Sequence, residues 1–170
     1  MSLELSESLQ KAIDALSEKY SDQLIEVYQS SGDTFARIEA KSLVEVCTFL
    51  KNEMNFIYLS DIIGTDRYTS GERFEVIYNL VSFRDGTRLF VKVRCEEENP
   101  ELETVTNIWG AANWFEREVY DMFGIQFKKH PDFRRMYMPE DFQYFPLRKE
   151  FPLLGIPGSI ELPNTTPETE

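Results

Sequence analysis

The chain is 170 residues long, with 30 acidic against 18 basic side chains, a formal net charge of −12, and 42% apolar residues. That length suits one domain, or one domain and an arm, with a substantial buried core. The acidic balance repels phosphate backbones and excludes a general nucleic-acid binder. No apolar run reaches the roughly 18 residues that a membrane span requires. The opening Met1-Ser2-Leu3-Glu4 lacks the basic-then-apolar order of a secretory signal.

Taken in order, Leu5, Leu9, Ala12, Ile13, Leu16 and Tyr20 recur at helical spacing between charges, which predicts an amphipathic helix over 3–20. Leu24 to Tyr28 and Thr34 to Glu39 are short β-prone runs around the turn cluster Ser30-Ser31-Gly32-Asp33, a hairpin pattern. Ser42-Leu43-Val44-Glu45 has the form of a capping box. It opens a second helix whose inner face is Leu43, Val46, Cys47, Leu50 and Met54, with Asn55 ending it.

A β region begins at Phe56 to Ile63. Arg73 to Phe83 and Thr87 to Cys95 then flank Arg84-Asp85-Gly86, a strong hairpin signal. Leu89, Val91, Val93 and Cys95 alternate with Phe90, Lys92 and Arg94, so one face is apolar. These runs predict an α+β fold: a two-layer antiparallel sheet with helices on one face. Glu96-Glu97-Glu98-Asn99-Pro100 reads as a solvated loop, and a short helix is expected near Leu102 to Trp109.

The densest chemistry lies in Trp114 to Arg135. Asn113 is the expected N-cap of a helix, with Glu116 completing a capping box and Gly124 at the C-terminal end. Phe115, Val119, Met122 and Phe123 form its apolar stripe, and Arg117 and Asp121, four apart, are placed to pair. Glu116 and Glu118 diverge by roughly 200° on a helix, so they do not converge on one small substrate. His130, the sole histidine, reads as a hydrogen-bonding residue beside Asp132 or a helix end. Arg134, Arg135 and Arg148 can clamp carboxylates in bidentate fashion. Their partners are Glu116, Glu118 and Asp121 within the chain or acids of a neighbour, with at least one internal pair favoured.

From Pro131 onward prolines recur through Pro167, which forbids a long helix and predicts an extended arm over 131–170, following a globular domain over 1–130. The arm's first part is rich in aromatic and apolar side chains. It either folds back on its own domain or lies across a partner, and the extended, arginine-bearing form favours the partner. Residues 164–170 are polar and expected to be disordered.

One histidine and the isolated Cys47 and Cys95 cannot supply a four-ligand zinc or iron–sulfur site. The two cysteines read as packing residues of a reducing compartment. No glycine-rich phosphate loop or nucleophile motif is present. The residues alone therefore predict a chain without catalysis or cofactor of its own.

Glu116-Arg117-Glu118, Asp121, Met122-Phe123, His130, Arg134 and Met136-Tyr137, at their spacing, resemble the signature of the 30 kDa-type subunit family of the proton-pumping NADH:quinone oxidoreductase, respiratory complex I. Met138-Pro139-Glu140-Asp141 and Pro146 to Leu153 extend the resemblance, which reaches loosely over residues 20–155. Plastoquinone-linked homologues and some membrane-bound hydrogenases carry a similar subunit. The resemblance implies a cofactor-free structural subunit of the hydrophilic arm. It would sit against the quinone-pocket subunit and near cluster-bearing neighbours. Iron–sulfur clusters, quinone and NADH (or ferredoxin) chemistry would lie in those partners, and contact with the cytoplasmic side of the membrane would be indirect. Glu116, Arg117, Glu118, Asp121, His130, Arg134, Arg135 and Arg148 would anchor the arm or a partner. The rival expectation is a free-standing acidic binding module, or a homo-oligomer that uses the same arm on its own copy.

Overall fold

A computed structural model describes residues 6–152 and Gly155. The first helix, α1 (Glu7–Lys19), starts where Ser6 accepts a hydrogen bond from the Leu9 amide, and it buries Leu9, Ala12 and Leu16. Leu3 and Leu5 of the expected helix, and the tail over 164–170, lie outside the described residues. The hairpin β1 (Leu24–Ser30) and β2 (Asp33–Ile38) turns through Ser31 and Gly32, both at positive φ. A single 3-10 turn, Ala40–Ser42, leads into α2 (Leu43–Asn52). Strands β3 (Tyr58–Asp66), β4 (Phe74–Val81) and β5 (Arg88–Cys95) form an antiparallel meander.

These strands make one five-stranded sheet in the order β1-β2-β5-β4-β3. The expected α+β class and helix-covered face are found, but the sheet is mixed. Phe35, Ala36 and Arg37 lie beside Phe90, Val91 and Lys92 in a parallel register. Residues Val76, Tyr78, Leu80, Leu89, Val91, Val93, Ala36 and Ile38 line the covered face and are fully or almost fully buried. Each such Val or Leu contributes about 1.5–3 kcal/mol on leaving water, which makes this face the chief support of the fold. The opposite face carries stacked Tyr28, Phe35 and Phe90, with Lys92 and Arg94 both paired to Glu75.

Two strands of a smaller parallel pair, β6 (Glu101–Glu103) and β7 (Gln126–Lys128), bracket α3 (Ala112–Phe123). The helix expected over Leu102 to Trp109 is thus absent. Leu102 pairs with Phe127, and the Val105 amide is spent on the Glu116 carboxylate, so the backbone there cannot close a helix. Neither expected capping box forms. Ser42 makes no side-chain cap because a 3-10 turn already feeds α2. At α3, tight turns bond the Ala112 and Asn113 amides to Trp109 and Gly110, so Asn113 lies inside the first turn and Glu116 is free to be buried.

Beyond β7, residues 131–152 form no regular element but fold back along α3 as a strap. The described part of the arm is a run of turns and bends without a helix or strand. It engages the chain's own domain, through Asp121 and Asp66.

Candidate functional site

The site is the seam between α3 and the strap. Asp121 has no exposed side-chain surface. One of its oxygens accepts the amides of Met136, Tyr137 and Met138 at 3.0, 2.6 and 3.0 Å, and the other accepts Arg135 Nη1 at 2.6 Å. Burial pushes this carboxyl up, but the donors from Met138, Tyr137, Arg135 and Met136 together outweigh it and hold the group below the usual carboxylate range. The Arg135 guanidinium also donates to the carbonyls of Phe142 and Tyr144, which shapes the strap's bend. The expected Arg117–Asp121 pair does not form. Arg117 instead donates to the carbonyls of Arg134 and Arg135 at 2.9 and 3.2 Å, and packs over Trp114.

Further along, Arg148 Nε donates to the Phe123 carbonyl at 2.6 Å, one of the groups a helix end leaves unpaired. Its guanidinium lies between the Phe74 and Phe145 rings. Gly124 turns left-handed at φ 76, and a Cβ there would meet Arg148 and Phe145 at 2.6 Å, so glycine lets the strap close. The Lys149 amide reaches Asp66 on β3 at 2.8 Å. Asp66 is clamped by Arg73 through both carboxylate oxygens, at 2.9 and 2.6 Å, which holds it far below the usual range. Arg73 in turn pairs with Glu150 of the strap. Sequence reasoning missed Asp66 and Arg73. Asp66 ends β3 and Arg73 directly precedes β4, seven positions apart, and no short motif marks them.

Glu116 faces the interior, with its oxygens accepting from Val105 N at 2.7 Å and Thr104 Oγ1 at 2.5 Å. Burial outweighs these two donors and pushes its carboxyl up to about 7. His130 Nε2, 3.9 Å from Glu116, donates to the Asn113 carbonyl, and Nδ1 accepts the Asp132 amide. Burial first, and Arg117 second among the lowering causes, favour its neutral form. The histidine therefore has the structural hydrogen bonding expected of it. Among the described residues, the Arg134 side chain is held by its neighbour Asp132 alone, at the surface. Glu118 is half-buried and has no hydrogen bond or ion pair among the described residues.

The structure thus gathers Asp121, Arg117, Arg135 and Arg148 at one seam, with Glu116 and His130 behind it and Arg134 and Glu118 at its margins. Every charge at the seam is spent on backbone groups or on an internal ion pair.

The same fold occurs in two solved structures. A trypsin-resistant fragment (1-134) of Nqo5 matches with a TM-score of 0.65 at 37% identity, over 74% of this chain and 98% of the fragment. A chain of a membrane-bound sulfane sulfur reductase, an archaeal respiratory membrane complex, matches with a TM-score of 0.73 at 25% identity, over 85% of this chain and 86% of that one. The model of the respiratory-chain NADH dehydrogenase 30 kDa subunit matches residues 36–156, and the chain belongs to that family. The NADH-quinone oxidoreductase subunit of this type from Geobacter metallireducens is 40% identical over 87% of this chain and 91% of its own length. Its counterpart from Rhizobium etli is 45% identical over 81% of this chain and 74% of its own.

Proposed function

We propose that the chain is a structural subunit of an NADH-quinone oxidoreductase, carrying no redox group and holding its neighbours in register. Electrons from NADH or ferredoxin pass to quinone through cluster-bearing partners, in a reaction coupled to proton translocation. The chain sits peripherally against the quinone-pocket subunit on the cytoplasmic side and reaches the membrane through partners. Family membership supports the setting. The observation that carries the role is that Asp121, Arg117, Arg135 and Arg148 are all committed to clasping the strap. Charges so engaged brace a surface rather than turn over a substrate. His130 supports the same reading, because both ring nitrogens are engaged and neither is free to bind a metal.

Capture of the tagged full chain from gently solubilised membranes tests this reading. Iron–sulfur and quinone-pocket subunits are expected to accompany it. A symmetric homodimer without those partners, or reduction of a quinone by the isolated chain, overturns it.

A further inference from the structure

We propose that the groove between the free edge of β3 and the outer side of α3 seats an extended, arginine-bearing segment of a neighbouring subunit. The inference rests on the assembly reading above and names what meets this one face. β3 is the end strand of the sheet and pairs only with β4, so its other edge offers unpaired backbone groups. Such edges recruit extended chains unless they are blunted. Both end strands carry one bulge, β1 between Leu24 and Glu26 and β3 between Leu59 and Asp61, so the edges differ in their charges: Glu26 of β1 is tied to Arg37, whereas Asp61 of β3 holds no cation among the described residues. Beside β3 a cavity of about 240 Å³ has an apolar floor of Val119, Met122 and Phe123, flanked by Ile63 and Leu147. Leu147 is 54% exposed and Ile63 39%, so this is apolar surface open to a partner.

Asp61 and Glu118 also line this cavity. Glu118 has no partner among the described residues, and the Asp61 carboxylate accepts only from the adjoining Ile62 amide. Three other buried acids each hold a cation, Asp66 with Arg73, Glu75 with Lys92 and Arg94, and Asp121 with Arg135, while Glu116 is held by Thr104 and Val105. The nearby arginines are also committed, Arg148 to the Phe123 carbonyl and Arg117 to the strap backbone. A cation for Asp61 and Glu118 is therefore one that a neighbour can supply. Arginine fits best, because its apolar stem can lie over Val119 and Met122 while the planar fork reaches carboxylates on the rim.

The test uses the full chain in its assembled complex, with Ile63 replaced by photoreactive benzoylphenylalanine and a comparison variant replaced at Gln29 on β1. Irradiation is expected to join position 63, and not position 29, to one arginine-containing peptide of another subunit. The Asp61→Asn, Glu118→Gln double variant is expected to hold its partner about 30-fold more weakly in a salt titration. Its unfolding midpoint as a free chain should stay unchanged. An adduct to a second copy of this chain, an adduct to a peptide without arginine, or no adduct at position 63 overturns the groove proposal. Absence of the unmodified chain from the complex defeats the assembly reading itself, which separates the two failures.

Discussion

Glu116 and Asp121 lie on the same helix with no exposed side-chain surface, yet they are pushed in opposite directions. Asp121 receives three backbone amides and a guanidinium, and stays ionised. Glu116 receives one amide and one hydroxyl, and its carboxyl rises to about 7. Burial penalises both ions, so the number and charge of the donors decide the outcome. One carboxylate is thereby a clasp for the strap. The other is a neutralisable group walled in by Thr104, Val105 and His130, with Tyr78 and Cys47 also near enough to sense its charge.

Breaking the clasp should have the largest effect. Asp121→Ala leaves Arg135 and three amides without their acceptor. A loss of about 3–5 kcal/mol in urea unfolding is expected, with new tryptic cleavage in the strap. Arg135→Ala should approach it. The clasp also sets the acid limb of the stability profile. Because Asp121 and Asp66 are depressed in the folded chain, their contribution is present above the ordinary carboxylate range and is lost as pH falls through their folded values.

Glu116 tilts stability the other way. A raised carboxyl favours the fold most below its ordinary value of 4.5, and that contribution is lost as pH rises to about 7. Glu116→Gln keeps an acceptor for Val105 and a donor for Thr104 without the charge. It should be more stable than the parent by about 2 kcal/mol at pH 8, with the gain shrinking toward pH 5. Unfolding midpoints at the two pH values read this directly.

Gly124→Ala should cost about 1–2 kcal/mol and loosen the strap, through its positive φ and the contact with Arg148 and Phe145. The smallest effects belong to the surface charges. Arg134→Ala, and Lys128→Ala with Lys129→Ala, should leave the midpoint unmoved, since among the described residues Arg134 pairs with Asp132 and the lysines with Glu101 and Glu103, all at the surface. A loss from Arg134→Ala equal to that from Arg135→Ala would erase the distinction between clasp and margin.

Local order was legible in the chain and long-range pairing was not. Arg84-Asp85-Gly86 and Ser31-Gly32 mark turns by their own backbone chemistry, and the alternation over Leu89 to Cys95 shows which face is buried. Nothing local tells β2 that it will run parallel to β5, because that choice is made by packing after the meander exists. The charged residues of the motif were all visible and an internal pair such as Arg135–Asp121 was expected, but the backbone partners were not. Arg117 and Asp121 have ideal helical spacing, yet each does better on the strap's carbonyls and amides. Backbone groups carry no sequence signature, so a carboxylate that binds them looks like one awaiting a cation. Glu116 misled in a related way, since the form of a capping box hid a buried acid.

The parallel joint between β2 and β5 also dictates an order of events as the chain folds. The meander β3-β4-β5 closes through short connections, whereas Phe35 must find Phe90 across the whole of α2, β3 and β4. Neighbours in sequence meet sooner than distant ones. The N-terminal hairpin therefore docks onto a sheet already three strands wide. In native-state hydrogen exchange, its amides should open as a unit ahead of those between β4 and β5.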